Sequence, residues 1–93
     1  MTLSRSFVPK LAKKARLRFD RHSGKTMLIY PERGLELNDS AAAIAKLCDG
    51  SRSVDVIVDE LAREFEAGPE ARASIDGDVV AFVTDLRDRG LLE

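Results

Sequence analysis

The sequence predicts an α+β domain, three antiparallel strands followed by three helices in a winged-helix-like arrangement. Up to Leu37, apolar and polar residues alternate in short runs separated by turn residues, the period of a strand with one buried face. Beyond Asn38, apolar residues recur three and four apart, the period of an amphipathic helix. A chain of 93 residues encloses one modest core, so strands and helices must cover each other.

The elements follow in order. Residues 1–15 show no clean period, contain Pro9 and carry Arg5, Lys10, Lys13 and Lys14. They read as a basic, mobile arm that orders only against a partner, leaving residues 16–93 as the domain. Leu17 and Phe19 alternate with Arg16, Arg18 and Asp20 in a first strand. His22-Ser23-Gly24-Lys25 supplies turn residues, and Thr26 to Tyr30 is a second run of strand formers, so the two make a hairpin. Pro31-Glu32-Arg33-Gly34 punctuates again, because proline cannot donate to a ladder and glycine permits a tight reversal. Leu35-Glu36-Leu37 is a short third strand.

Asn38 or Asp39 can cap the first helix, whose Ala41, Ile44, Ala45, Leu47 and Cys48 lie near one face, and Gly50 can end it. Ser53 can cap the second helix, along which Val54, Ile57, Val58, Leu61, Ala62 and Phe65 form one stripe. Gly68-Pro69 precedes a third helix carrying Ile75, Val79, Phe82, Val83 and Leu86, and Gly90 is placed to end it.

Composition argues against an enzyme. His22, the sole histidine, falls in a turn, and Cys48, the sole cysteine, ends an apolar stripe where a thiol acts as a small hydrophobe. One His and one Cys on different elements do not make a zinc site, and there is no glycine-rich phosphate loop, so neither metal nor cofactor is expected. Asp55, Asp59, Glu60 and Glu64 occupy the polar side of the second helix, its solvated face. No apolar run reaches the roughly 18 to 20 residues of a membrane span, and the N-terminus lacks the continuous apolar stretch of a secretory signal, so a cytoplasmic location is expected. The charge is uneven: residues 1–33 carry net +7 and residues 34–93 net −8. Such a field orients a partner on approach.

The more specific signals are Tyr30-Pro31-Glu32-Arg33, Leu37-Asn38, Leu47-Cys48-Asp49-Gly50, and Asp78-Val79 with Phe82, Leu86 and Gly90-Leu91. Each alone is a turn, a cap or a helix stop. Together, in this order and spacing over residues 9–93, they resemble the PqqD family. Ala45 and Val83 stand where that family more often has leucine, and Ala67 to Ile75 follows none of its patterns. The resemblance implies a non-catalytic chaperone of pyrroloquinoline quinone biosynthesis. Such a protein binds a ribosomally made, PqqA-like precursor peptide and presents it to a PqqE-like radical S-adenosylmethionine enzyme, which crosslinks a Glu and a Tyr of the peptide. It also implies that the peptide adds as a strand beside the third strand, in a groove closed by the third helix. The residues so implicated are Leu35, Glu36, Leu37 and Asn38 on the strand and Asp78, Phe82, Val83 and Leu86 on the helix. A strand edge and a row of apolar helix residues are physically suited to that use, although the same spacing also reads as core packing.

The alternative is a winged-helix nucleic-acid binder. Against it, Glu70 to Arg89 carries Glu70, Asp76, Asp78, Asp85 and Asp88 beside only Arg72, Arg87 and Arg89, the wrong sign for a helix meeting phosphate. Neither nucleic acid nor membrane is therefore expected as a partner. The first two strands have little core of their own, so the reading is a monomer at low concentration with a strand-swapped homodimer accessible when concentrated.

Overall fold

A computed structural model of the chain describes residues 3–31 and 33–93. Its elements are β1 (Arg16–Asp20), β2 (Lys25–Tyr30), β3 (Arg33–Leu37), α1 (Asp39–Leu47), α2 (Val54–Glu64) and α3 (Pro69–Asp88). This is the expected α+β order.

The strands form one antiparallel sheet in the order β1-β2-β3. Leu17 pairs with Leu28 and Leu28 with Leu35, while Phe19 pairs with Thr26 and Thr26 with Leu37. These residues therefore share the face turned to the helices, and Arg16, Arg18, Met27, Ile29 and Glu36 share the outer face. Gly24 at φ +71° closes the first hairpin. The second reversal is tighter than expected. Arg33 and Gly34 already belong to β3, Gly34 pairs with Ile29, and only Pro31 and Glu32 connect the strands. Glu32 itself lies outside the described residues.

Each helix start follows its sequence. The Asn38 side chain accepts a hydrogen bond from the Ala41 N–H and the Ser53 hydroxyl accepts one from the Val56 N–H. α3 opens with Pro69 in its first turn, where a missing N–H costs nothing. α1 stops at Leu47 with Cys48 as its cap, so Gly50 sits in the following loop instead of ending the helix. At the end of α3, the Leu91 N–H reaches the Leu86 carbonyl at 2.9 Å and Gly90 takes φ +72°, a left-handed stop.

The core has two connected parts. Ile44, Cys48, Val54, Ile57, Val58, Leu61, Val79 and Val83 fill the space between the three helices. Leu28, Leu37, Ala42, Ala45, Leu86 and Leu91 join the sheet to α1 and the end of α3. The small Ala42 and Ala45 let the sheet approach α1 closely, and each larger side chain so buried contributes about 1.5–3 kcal/mol. Among the described residues no buried side-chain polar atom lacks a partner.

Residues 3–15, expected as a detached arm, are seated on the helices; Met1 and Thr2 lie outside the described residues. Leu3 and Pro9 are buried, and Phe7 and Leu11 pack against the helical core. The Arg5 and Phe7 carbonyls accept the N–H groups of Asp55 and Val54, two donors that the first turn of α2 cannot satisfy itself. The missing strand or helix period conceals this anchoring because the segment pairs only through single bridges, Lys10 with Asp49 and Leu11 with Leu92.

Candidate functional site

β3 is an edge strand, paired on one side only. The pair Tyr30 and Arg33 flanks a two-residue connection, so those two residues must exchange the ladder hydrogen bonds. Bonding then alternates along the strand. Leu35 and Leu37 point their N–H and C=O groups at Leu28 and Thr26, while Gly34 and Glu36 point theirs away from β2, at the open edge. Side chains divide along the perpendicular axis. Leu37 is buried in the core and Leu35 half-buried above it, whereas the Glu36 carboxylate lies on the outer face, 2.7 Å from Lys25 Nζ.

α3 packs mainly on α2 and α1, and its end meets the sheet through Leu86, in the core shared with Leu28 and Leu37. A cavity of about 300 Å³ lies between α1 and α3 where the chain leaves β3, lined by Asn38, Ser40, Ala41 and Ile44 on one side and by Asp78, Ala81, Phe82 and Asp85 on the other. Of the helix residues expected at this site, Asp78 is exposed and Phe82 half-buried, and both face the cavity. Val83 and Leu86 do not. Both are 0% exposed in the core, so they back the groove and cannot touch a ligand. The correction has a simple cause. Val83 is one residue, hence about 100° of helix rotation, from Phe82, and the apolar residues of α3 cover both its core face and its groove face. Ala81 and Asp85 escaped the sequence reading because neither a small residue nor a lone carboxylate marks a face.

The groove is acidic on its helical wall. Asp85 is held by Arg89, with Nε donating to both carboxylate oxygens at 3.0 and 3.1 Å, while Asp78 is exposed to solvent. Asp85 and then the Tyr30 hydroxyl raise the Arg89 guanidinium above its ordinary value. A negative wall repels phosphate, so the α3 face has the wrong sign for nucleic acid. Cys48 is buried, and among the described residues no cluster of three His, Cys, Asp or Glu side chains could hold a metal. No helix among them is long and apolar enough to cross a membrane.

A free strand edge whose chain runs through Asn38 into the wall of a half-apolar groove suits an extended peptide. Comparison with known proteins bears directly on it, since the family model described as coenzyme PQQ synthesis protein D (PqqD) matches residues 25–92. The chain belongs to the PqqD family. A relative from Rhodopseudomonas palustris (strain BisB5), named PqqA binding protein, is 44% identical over 92 residues, spanning 99% of this chain and 87% of the relative. Among solved structures, the PqqD truncation of Methylobacterium extorquens PqqCD is 37% identical. It is described as a stand-alone recognition element for ribosomally synthesised and post-translationally modified peptides. It superposes with a TM-score of 0.80 over 97% of this chain and 93% of its own. PqqD from Xanthomonas campestris, also 37% identical, covers 99% of both chains with a TM-score of 0.60. The matched residues 25–92 include those that line the groove.

Proposed function

We propose that this chain is a peptide chaperone without catalysis of its own. It binds a ribosomally made, PqqA-like precursor as a strand added to β3 and presents it to a PqqE-like radical S-adenosylmethionine enzyme for Glu-Tyr crosslinking. The observation that carries the proposal is the outward pair of backbone groups at Gly34 and Glu36, on a strand that leads through Asn38 into a groove whose far wall is the Asp78, Ala81, Phe82, Asp85 face of α3. Backbone pairing supplies affinity without reading sequence, and the groove supplies selectivity through alternate side chains. Asn38 leads from the edge into the α1 cap, which holds one end of the site in place. The family's relatives named for PqqA binding support the choice of peptide. The separation of roles follows from the chemistry present: the groove holds carboxylates, small residues and one phenyl ring, which suit holding a chain but offer no general acid-base pair in a closed pocket.

Titration of a synthetic PqqA peptide into the labelled protein tests this. Glu36→Pro removes a donor that faces the edge and not the β2 ladder, so it should weaken binding about tenfold or more while the protein stays folded. Glu36→Ala keeps the N–H and should bind nearly as the parent does. Equal affinity of the proline variant, with amide shifts confined to α2, would overturn the proposal.

A further inference from the structure

The groove does not stop where β3 stops. Ser40 and Asp78, which line the cavity between α1 and α3, also line an open depression of about 420 Å³ beside the α1 N-terminus, whose remaining walls include Phe65, Ala71 and Ile75. A narrow, mostly apolar cleft of about 30 Å³ between Ile44, Leu61, Phe65 and Ile75 joins the two. On α3 the walls form one stripe, because Ala71, Ile75, Asp78, Phe82 and Asp85 fall four, three, four and three residues apart. The stripe is distinct from the buried row of Val79, Val83 and Leu86.

Phe65 is the unexplained member of this surface. It ends the α2 stripe whose Val54, Ile57, Val58 and Leu61 are all buried, yet it is 59% exposed. α2 ends at Glu64 with Phe65 as its cap, and the chain turns away at Glu66 with φ +51°, so the ring is left standing beside half-buried Ile75. A phenyl ring held on a rigid helix end, next to an open apolar depression that shares two walls with the strand groove, is built to receive a side chain from whatever occupies that groove.

We infer that the peptide paired with β3 continues past Asn38, crosses the first turn of α1 and seats a large apolar side chain between Phe65 and Ile75. This rests on the strand-addition reading above and extends it to a second, sequence-reading subsite. The continuous walls favour the same peptide over a separate partner. From Asp85 to Ala71 the α3 stripe runs about 21 Å, a distance that about six extended residues cover. The strand segment gives affinity to any chain able to pair. The Phe65 subsite selects chains with an aromatic or large aliphatic residue at the right distance from the paired segment.

The test uses the whole protein with three PqqA peptides: full-length, and shortened from either end to the segment that still shifts the Gly34 and Glu36 amides. Phe65→Ala should weaken the full-length peptide about tenfold and leave one of the shortened peptides, the one lacking the anchoring flank, unaffected. Ala71→Arg, an exposed change that obstructs the depression, should do the same. Full-length peptide should shift the amides of Phe65, Ala71 and Ile75, and the shortened one should not. If the full-length peptide shifts Gly34 and Glu36 but binds Phe65→Ala unchanged, or if all three peptides weaken equally, the second subsite is wrong while strand addition stands. If no peptide shifts the β3 amides, strand addition itself fails and the subsite falls with it.

Discussion

At the scale of single residues, two neighbours on one helix have opposite fates. Phe82 faces the groove and Val83 the core, and nothing in the sequence separates them, since both are apolar and both fit a helical stripe. The core residues Leu37, Val83 and Leu86 act on a ligand only by fixing the strand and helix that present other groups. Cys48 is the clearest case of a reactive type made inert by its place. It is 2% exposed, its Sγ–H donates to the Ile44 carbonyl at 3.3 Å, and burial, then the neighbouring Asp49 charge, push the thiol up to about 12. The folded protein should therefore resist a thiol-specific reagent at pH 8 and react fully once denatured, as a simple colorimetric assay can show. The linkage sign follows from the same shift. The folded thiol stays neutral while the unfolded one ionises from about pH 9, so stability falls as pH rises from about 9 towards 12. Urea midpoints at pH 8 and pH 10 should show the drop, and Cys48→Ala should show less of it.

At the scale of elements, local chemistry and local structure agree closely. Ser53 and either Asn38 or Asp39 are the caps the sequence offers, and Asn38 and Ser53 accept backbone N–H groups, at 2.8 and 3.2 Å. Ser53→Ala and Asn38→Ala should each cost about 1 kcal/mol in urea unfolding. They differ in function, because Asn38 lines the groove and Ser53 does not. Only Asn38→Ala should also weaken the PqqA peptide in the same titration, and equal effects of the two on binding would place the groove elsewhere. The direction of the strand edge was not legible in the same way, because it depends on the register that the structure supplies. Once Tyr30 and Arg33 flank a two-residue turn, the outward direction of Glu36 follows from ladder alternation alone. The misplaced turn at Gly34 shows the limit, since glycine serves both a reversal and a strand beside a bulky neighbour, here Met27 Cε at 3.5 Å from where a Cβ would stand.

At the scale of the whole molecule, the N-terminal segment is a strap. Arg5 reaches Asp55 on α2 at 3.1 Å and Asp76 on α3 at 2.6 Å, and the strap's carbonyls complete the start of α2. Arg5 holds the Asp76 carboxyl below its usual range, so this contact is present above the ordinary carboxylate value near 3.8 and is lost as pH falls below it. Removing residues 1–11 exposes the surface covered by Leu3 and Pro9 and should lower stability by about 2 kcal/mol or more, read as a fall in melting temperature. An unchanged melting point would mean that the strap adds nothing in solution. Association belongs to this scale too. The β1-β2 hairpin is more firmly held than its sequence implies, because β2 is the central strand and its Leu28 is 0% exposed. A swap must break five β2-β3 pairs and remake them in a second copy, so it needs high concentration. Sedimentation across a concentration series should show a monomer with a dimer appearing only near the top, and a single species up to millimolar protein would count against the swap.

The sequence by itself determined what depends on near neighbours: the strand and helix periods, the caps, the stop at Gly90, and the family that their combined spacing marks. These are legible because hydrogen bonds to the backbone and the facing of side chains act within four residues of chain. Only the tertiary structure decided which apolar residues are core and which line the groove, that the basic N-terminal segment lies against the helices, and that the groove continues to Phe65. Those outcomes depend on contacts between residues far apart in the chain, such as Arg5 with Asp76 and Leu28 with the core around Leu86, whose free energy no local pattern records.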